Sequence, residues 1–188
     1  MSLFLGPIHF WLYDKIKNQE ELTKETAKHF SLGKEYTKVC PPLEEVIDEN
    51  NIHQSLQTMI DDAETRYAEL LFKLRNNQEQ LILFAKKFGE KYQINENATP
   101  EQCFKYFEDF FVNGMPCDRV NSIIRSGVDF ITWKQNVDIH EKYFTPLNIS
   151  TDLYYKIRTA IMNGMLTKTK LTVEYSDKTY TVKPKIKL

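Results

Sequence analysis

Glycine is scarce and never clustered, with six in 188 residues. There is no Gly-x-Gly-x-x-Gly and no Gly-x-x-x-x-Gly-Lys-Ser/Thr stretch, so a backbone cradle for nucleotide phosphates is not expected. Gly-x-Ser-x-Gly and His-Glu-x-x-His are missing too, which removes two familiar hydrolase signatures. Cysteine is equally sparse. Cys40, Cys103 and Cys117 share no Cys-x-x-Cys spacing, so neither a disulfide framework nor a zinc knuckle is indicated. Reduced thiols in a cytoplasm fit best. Charge of one sign does not dominate either: a formal net charge of −1 gives no general attraction to nucleic acid or to an anionic membrane. Long apolar runs are also lacking. MSLFLGPIHFWLYDKI is rich in apolar residues but has no basic n-region and no small-residue cleavage site. Asp14 and Lys15 interrupt it before it could span a bilayer, and it reads as a buried helix.

What is present is enough for a core. Hydrophobic residues make up 41% and aromatics 13% of the chain, which excludes wholesale disorder. The length suits one domain over residues 1–188, able to bury roughly two thirds of its unfolded surface. Locally, residues 167–188 hold six lysines against Glu174 and Asp177. That excess reads as protection of an exposed strand edge.

Helix starts are the clearest punctuation. Gly6-Pro7 opens one helix, since proline suits the first position, where its missing N–H has no partner to lose. Ile8, Trp11, Leu12 and Ile16 then follow at helical spacing. Cys40-Pro41-Pro42 breaks the chain. A long helix begins at Ile52 and buries Leu56, Ile60, Ala63, Tyr67, Leu70 and Leu71, with a disturbance at Asn76-Asn77. Thr99-Pro100-Glu101-Gln102 supplies a capping box, and Phe104, Phe107, Phe110 and Phe111 follow at helical spacing. Pro116 is read as starting another helix, with Val120, Ile123 and Ile124 on its face, and Phe130 to Tyr143 as a further one. Ser150-Thr151-Asp152 opens the last, which stops at Gly164. Beyond it the period changes to two: pairing Tyr175 with Tyr180 sets Val173 opposite Val182, the mark of a hairpin. The expected fold is therefore all-α, a bundle of about six helices, with a small β-hairpin at residues 166–188 packed on the bundle or on a partner.

Two helix starts carry candidate chemistry. With Pro7 at the first position His9 lies in the first turn, where the backbone dipole favours neutral imidazole, a metal ligand or general base. With Pro116 at the first position, Cys117 gains the same positive field, which favours thiolate. Cys117 and His9 are thus the candidate catalytic pair, and His9, Cys117 and His140 the candidate metal ligands. Trp11, Tyr13 and Trp133 are the candidate cofactor-binding aromatics, for haem or a transition metal, because aromatic-rich bundles hold apolar ligands between helices. The bland alternatives are a core-edge histidine, a buried thiol and ordinary core aromatics. The Glu25/His29 and Glu49/His53 pairs sit outside apolar stripes and read as solvated faces. Three functional classes remain: a small-molecule, metal or cofactor binder near His9 and Cys117; a non-catalytic interaction module or homodimer; and a thiol enzyme or redox sensor using Cys117. Neither nucleic acid nor a membrane is expected as a partner.

Overall fold

The computed structural model describes residues 4–186, so the outermost residues of the expected N-terminal helix and C-terminal hairpin lie outside the described part. Seven α-helices and one four-stranded sheet form the described chain. The helices are α1 (Pro7–His29), α2 (Leu43–Val46), α3 (Ile52–Lys73), α4 (Gln78–Gly89), α5 (Pro100–Phe110), α6 (Glu141–Phe144) and α7 (Asp152–Met165). The strands are β1 (Asn121–Ser126), β2 (Ile131–Gln135), β3 (Leu171–Ser176) and β4 (Thr179–Pro184).

This corrects the all-α expectation: the fold is mixed α and β. The sheet runs β1-β2-β4-β3 and every neighbouring pair is antiparallel. The C-terminal hairpin has the expected register, Tyr175 opposite Tyr180 and Val173 opposite Val182. It is not an appendage, because β4 also pairs with β2, with Trp133 opposite Tyr180. The two segments read as helices, after Pro116 and from Phe130, supply the other strands. Their physics favours the sheet. Ile131, Trp133 and Gln135 are buried in alternation, a period of two built from β-branched and aromatic residues.

One sheet face rests on α5 and α7 through Trp133, Tyr180, Val182 and Val173, all nearly inaccessible. Asn163 of α7 fastens the hairpin. Its side-chain amide donates to the Val173 carbonyl at 2.8 Å, and its oxygen accepts from the Val173 N–H at 3.0 Å. A second apolar cluster joins the first half of α1 to α2 and the first half of α3, through Leu12, Ile16, Leu43, Leu56 and Ile60. Segment 111–120 crosses beside this cluster, adding Val112 and Met115. Clefts open on both sides of that segment.

Candidate functional site

The buried face of α3 contains one acid. Glu64 lies four residues after Ile60 and three before Tyr67, on the stripe those residues bury, and is itself only 1% exposed. Its partner comes from the far side of the sequence: His140, at the start of α6 and fully buried. The His140 Nδ1 and Glu64 Oε2 atoms are 2.9 Å apart. Which of the two atoms donates is set by the imidazole tautomer. Asp138 fixes the histidine's backbone, accepting from the His140 N–H at 3.1 Å. The same carboxylate accepts from the Tyr155 hydroxyl at 2.6 Å and the Thr151 hydroxyl at 2.9 Å. The imidazole packs on the Tyr154 ring with centroids 4.2 Å apart. Tyr154 in turn accepts from the buried Arg158, which also donates to Asn113 Oδ1 at 2.7 Å.

Most of this polar core is satisfied. Three of its atoms are not: Glu64 Oε1, His140 Nε2 and Arg158 Nε are buried without a hydrogen-bond partner. Leaving a buried polar atom unmatched costs roughly 1–3 kcal/mol, more when it is charged. Such an atom calls for a reason.

Glu64 provides one by its position, because it lines a cleft of about 450 Å³ between α3, segment 112–118 and the loop into α6. Asp61, Asp118 and Asp138 share that lining, against a single cation, Lys142. Aliphatic walls come from Ile60, Val112, Val137 and Ile139. Asp61 accepts from the Tyr143 hydroxyl at 2.5 Å, from Lys142 at 2.9 Å and from Gln57 at 3.1 Å. Burial opposes its ionisation, but those donors outweigh burial and hold its carboxyl below the usual range. Burial and the Asp61 contact raise the Tyr143 hydroxyl far above its ordinary value, so it stays a donor. Gly114 shapes the opposite wall. Its φ is +69°, and a Cβ there would meet Asp118 Oδ2 at 2.4 Å. That oxygen is already occupied, accepting from the Met115 N–H at 2.7 Å. Among the described residues no group of three or more His, Cys, Asp or Glu side chains is arranged to hold a metal ion.

His9 sits in the first turn of α1, where its Nδ1 accepts from the Gly6 N–H at 2.9 Å. Cys117 is exposed, and Pro116–Asp118 is one 3-10 turn, so the α-helix start on which its thiolate argument rested does not exist there. Ile8 and Pro116, their chain neighbours, line one small cleft, together with Trp11. The Trp11 indole N–H donates to Asp109 at 2.9 Å, and the Tyr13 hydroxyl to the Pro41 carbonyl at 2.6 Å. Trp133 lies in the core, stacked on Tyr180 at 5.1 Å. His140 pairs with Glu64, not with His9 or Cys117. Glu64, Asp61 and Lys15 escaped the sequence reading. Glu64 had one local signal, an acid at i+4 from Ile60 inside an apolar stripe.

No family model, curated protein or solved structure matches this chain. No described helix is long and apolar enough to cross a membrane.

Proposed function

We propose that this protein binds a small organic cation, an ammonium on a short aliphatic body, in the cleft floored by Glu64. One observation carries the reading: Glu64, a residue lining an open cleft, has a buried carboxylate oxygen, Oε1, with no donor. An ammonium supplies the missing donor and charge together, and a charge-assisted bond of this kind is about twice as strong as a neutral one. The excess of carboxylates over Lys142 favours a cation, and the four aliphatic walls suit an alkyl chain. Organic cations are favoured over metal ions because the carboxylates are already committed to Tyr143, Tyr155, Thr151 and backbone donors. His140 holds Glu64 in place and keeps it from turning away from the cleft.

Thermal unfolding with n-butylammonium and 1,4-diaminobutane tests this. A ligand at 100 times its dissociation constant adds about 2.7 kcal/mol of stability, and a neutral diol of the same length should add none. Glu64→Gln keeps the shape and removes the charge, so amine affinity should fall at least about tenfold. Equal stabilisation by the diol, or unchanged amine binding in E64Q, would refute the assignment.

A further inference from the structure

A second cleft, of about 170 Å³, lies on the other side of segment 113–121 and is independent of the Glu64 site apart from the shared Gly114. Its lining includes Lys15 of α1, Trp11, Glu108, Asn121 and Arg119. Lys15 lies between Leu12 and Ile16 on the buried face of α1 and is only 2% exposed. Its Nζ sits 4.0 Å from the centre of the Trp11 ring. No hydrogen bond or ion pair joins Nζ to any other described residue, an unusual state for a buried lysine. Glu108 Oε1 is occupied by Asn113 Nδ2 at 3.1 Å and Asn121 Nδ2 at 2.7 Å. Asn121 Oδ1 is buried and unmatched. Arg119, an exposed residue, lines the same cleft and makes no ion pair among the described residues.

We propose that Lys15 captures the carbonyl of a compact 2-oxo acid as an imine, with Arg119 holding the acid's carboxylate. The cleft supplies each part of that reaction. Attack by the neutral amine forms the C–N bond and moves the carbonyl π pair to oxygen. One proton passes from nitrogen to that oxygen and a second, drawn from solvent, lets it leave as water while the nitrogen lone pair closes the C=N bond; amine, ketone and one proton become protonated imine and water, and nothing is oxidised or reduced. Glu108 lines the same cleft and exerts the strongest pull of any charged group on the amine; in the proposed reaction it relays the proton, and the protonated imine keeps the positive charge that Glu108 and the Trp11 face already accommodate. The charged groups acting on Nζ are Glu108, Asp109 and Arg158. Burial, only partly offset by Glu108, lowers the amine to about 8. At neutral pH about a tenth of such side chains carry the free amine, against on the order of one in three thousand for an ordinary lysine. The space corresponds to about six waters at roughly 30 Å³ each, which suits a ligand of about the size of pyruvate.

Trapping with pyruvate and cyanoborohydride, read by peptide mass mapping of the intact wild-type chain, decides the matter. One reduced adduct on the Lys15 peptide is expected, forming at least about ten times faster than on any exposed lysine. Lys15→Met should abolish it. Arg119→Gln should slow trapping of pyruvate about tenfold and leave trapping of propanal, which has no carboxylate, within about twofold. Adducts spread over lysines according to exposure would overturn the proposal, and the wild-type map gives that answer even if K15M fails to fold. Equal slowing of pyruvate and propanal in R119Q would overturn the carboxylate anchor.

Discussion

Gly164→Ala should lower the melting temperature by on the order of 10 °C. α4 and α7 make the most extensive helix pair in the fold and cross at Gly89 and Gly164, backbone against backbone. A Cβ on Gly164 would stand 2.1 Å from the Lys86 carbonyl oxygen and 3.0 Å from the Gly89 Cα. A Cβ on Gly89 would meet the Ile161 carbonyl oxygen at 2.1 Å. Alanine gains about 1 kcal/mol of helix propensity over glycine. The clash outweighs that gain, because its partner is main chain and cannot swing aside. The helices must separate, loosening Phe88, Ile157 and Ile161 in the core. Overpacking costs about 1–3 kcal/mol and more where backbone must move. In a domain of this size each kcal/mol shifts melting by about 2–4 °C. Calorimetry on G164A and G89A, with helix content followed by circular dichroism, gives the answer. A rise in melting temperature would mean that propensity wins and the crossing is not tight.

Those glycines show where the sequence misleads. Gly164 reads locally as a helix stop, whereas both glycines lie where another helix comes close. The partner is more than 70 residues away and leaves no local mark. The strong local signals did survive. α1 begins at Pro7, and α5 carries its capping box: Thr99 Oγ1 accepts from the Gln102 N–H at 3.3 Å and Gln102 Oε1 from the Thr99 N–H at 2.9 Å. β1 failed for a definite reason. Val120, Ile123 and Ile124 are spaced i, i+3, i+4, the helical pattern, but Ile123 and Ile124 are half exposed on a sheet edge and only Val120 is buried. For β2 the two-residue alternation is present in Ile131, Trp133 and Gln135, inside the segment from Phe130 to Tyr143 read as one helix. The site was least legible of all. Glu64 and His140 are joined across 76 residues, and only tertiary packing brings them together.

Raising the pH should first stabilise the protein slightly and then unfold it abruptly above about pH 10. The rise comes from Lys15. Its folded value, about 8, lies below its ordinary one of 10.5. Between those values the native state binds fewer protons than the unfolded chain, so stability climbs with pH, by at most roughly 3 kcal/mol. The fall comes from tyrosine. Burial raises Tyr67, Tyr154 and Tyr180 far above their ordinary value of 10.0, with Glu64 adding to the first two and Arg158 opposing it in all three. Each keeps its proton in the native state while the unfolded chain loses it. Stability is therefore intact below about pH 10 and is lost above it, at about 1.4 kcal/mol per tyrosine per pH unit. Three such residues remove roughly 4 kcal/mol per unit, so a stability of about 5–15 kcal/mol is exhausted within a few units at most. Tyrosinate absorbance should then rise together with the loss of helical circular dichroism, as one transition. Lys15→Met should erase the initial climb and leave the collapse, while Tyr67→Phe should make the collapse shallower. A smooth tyrosine titration near pH 10 with the helices intact would show that these hydroxyls are not sealed in the core that holds Glu64 and His140.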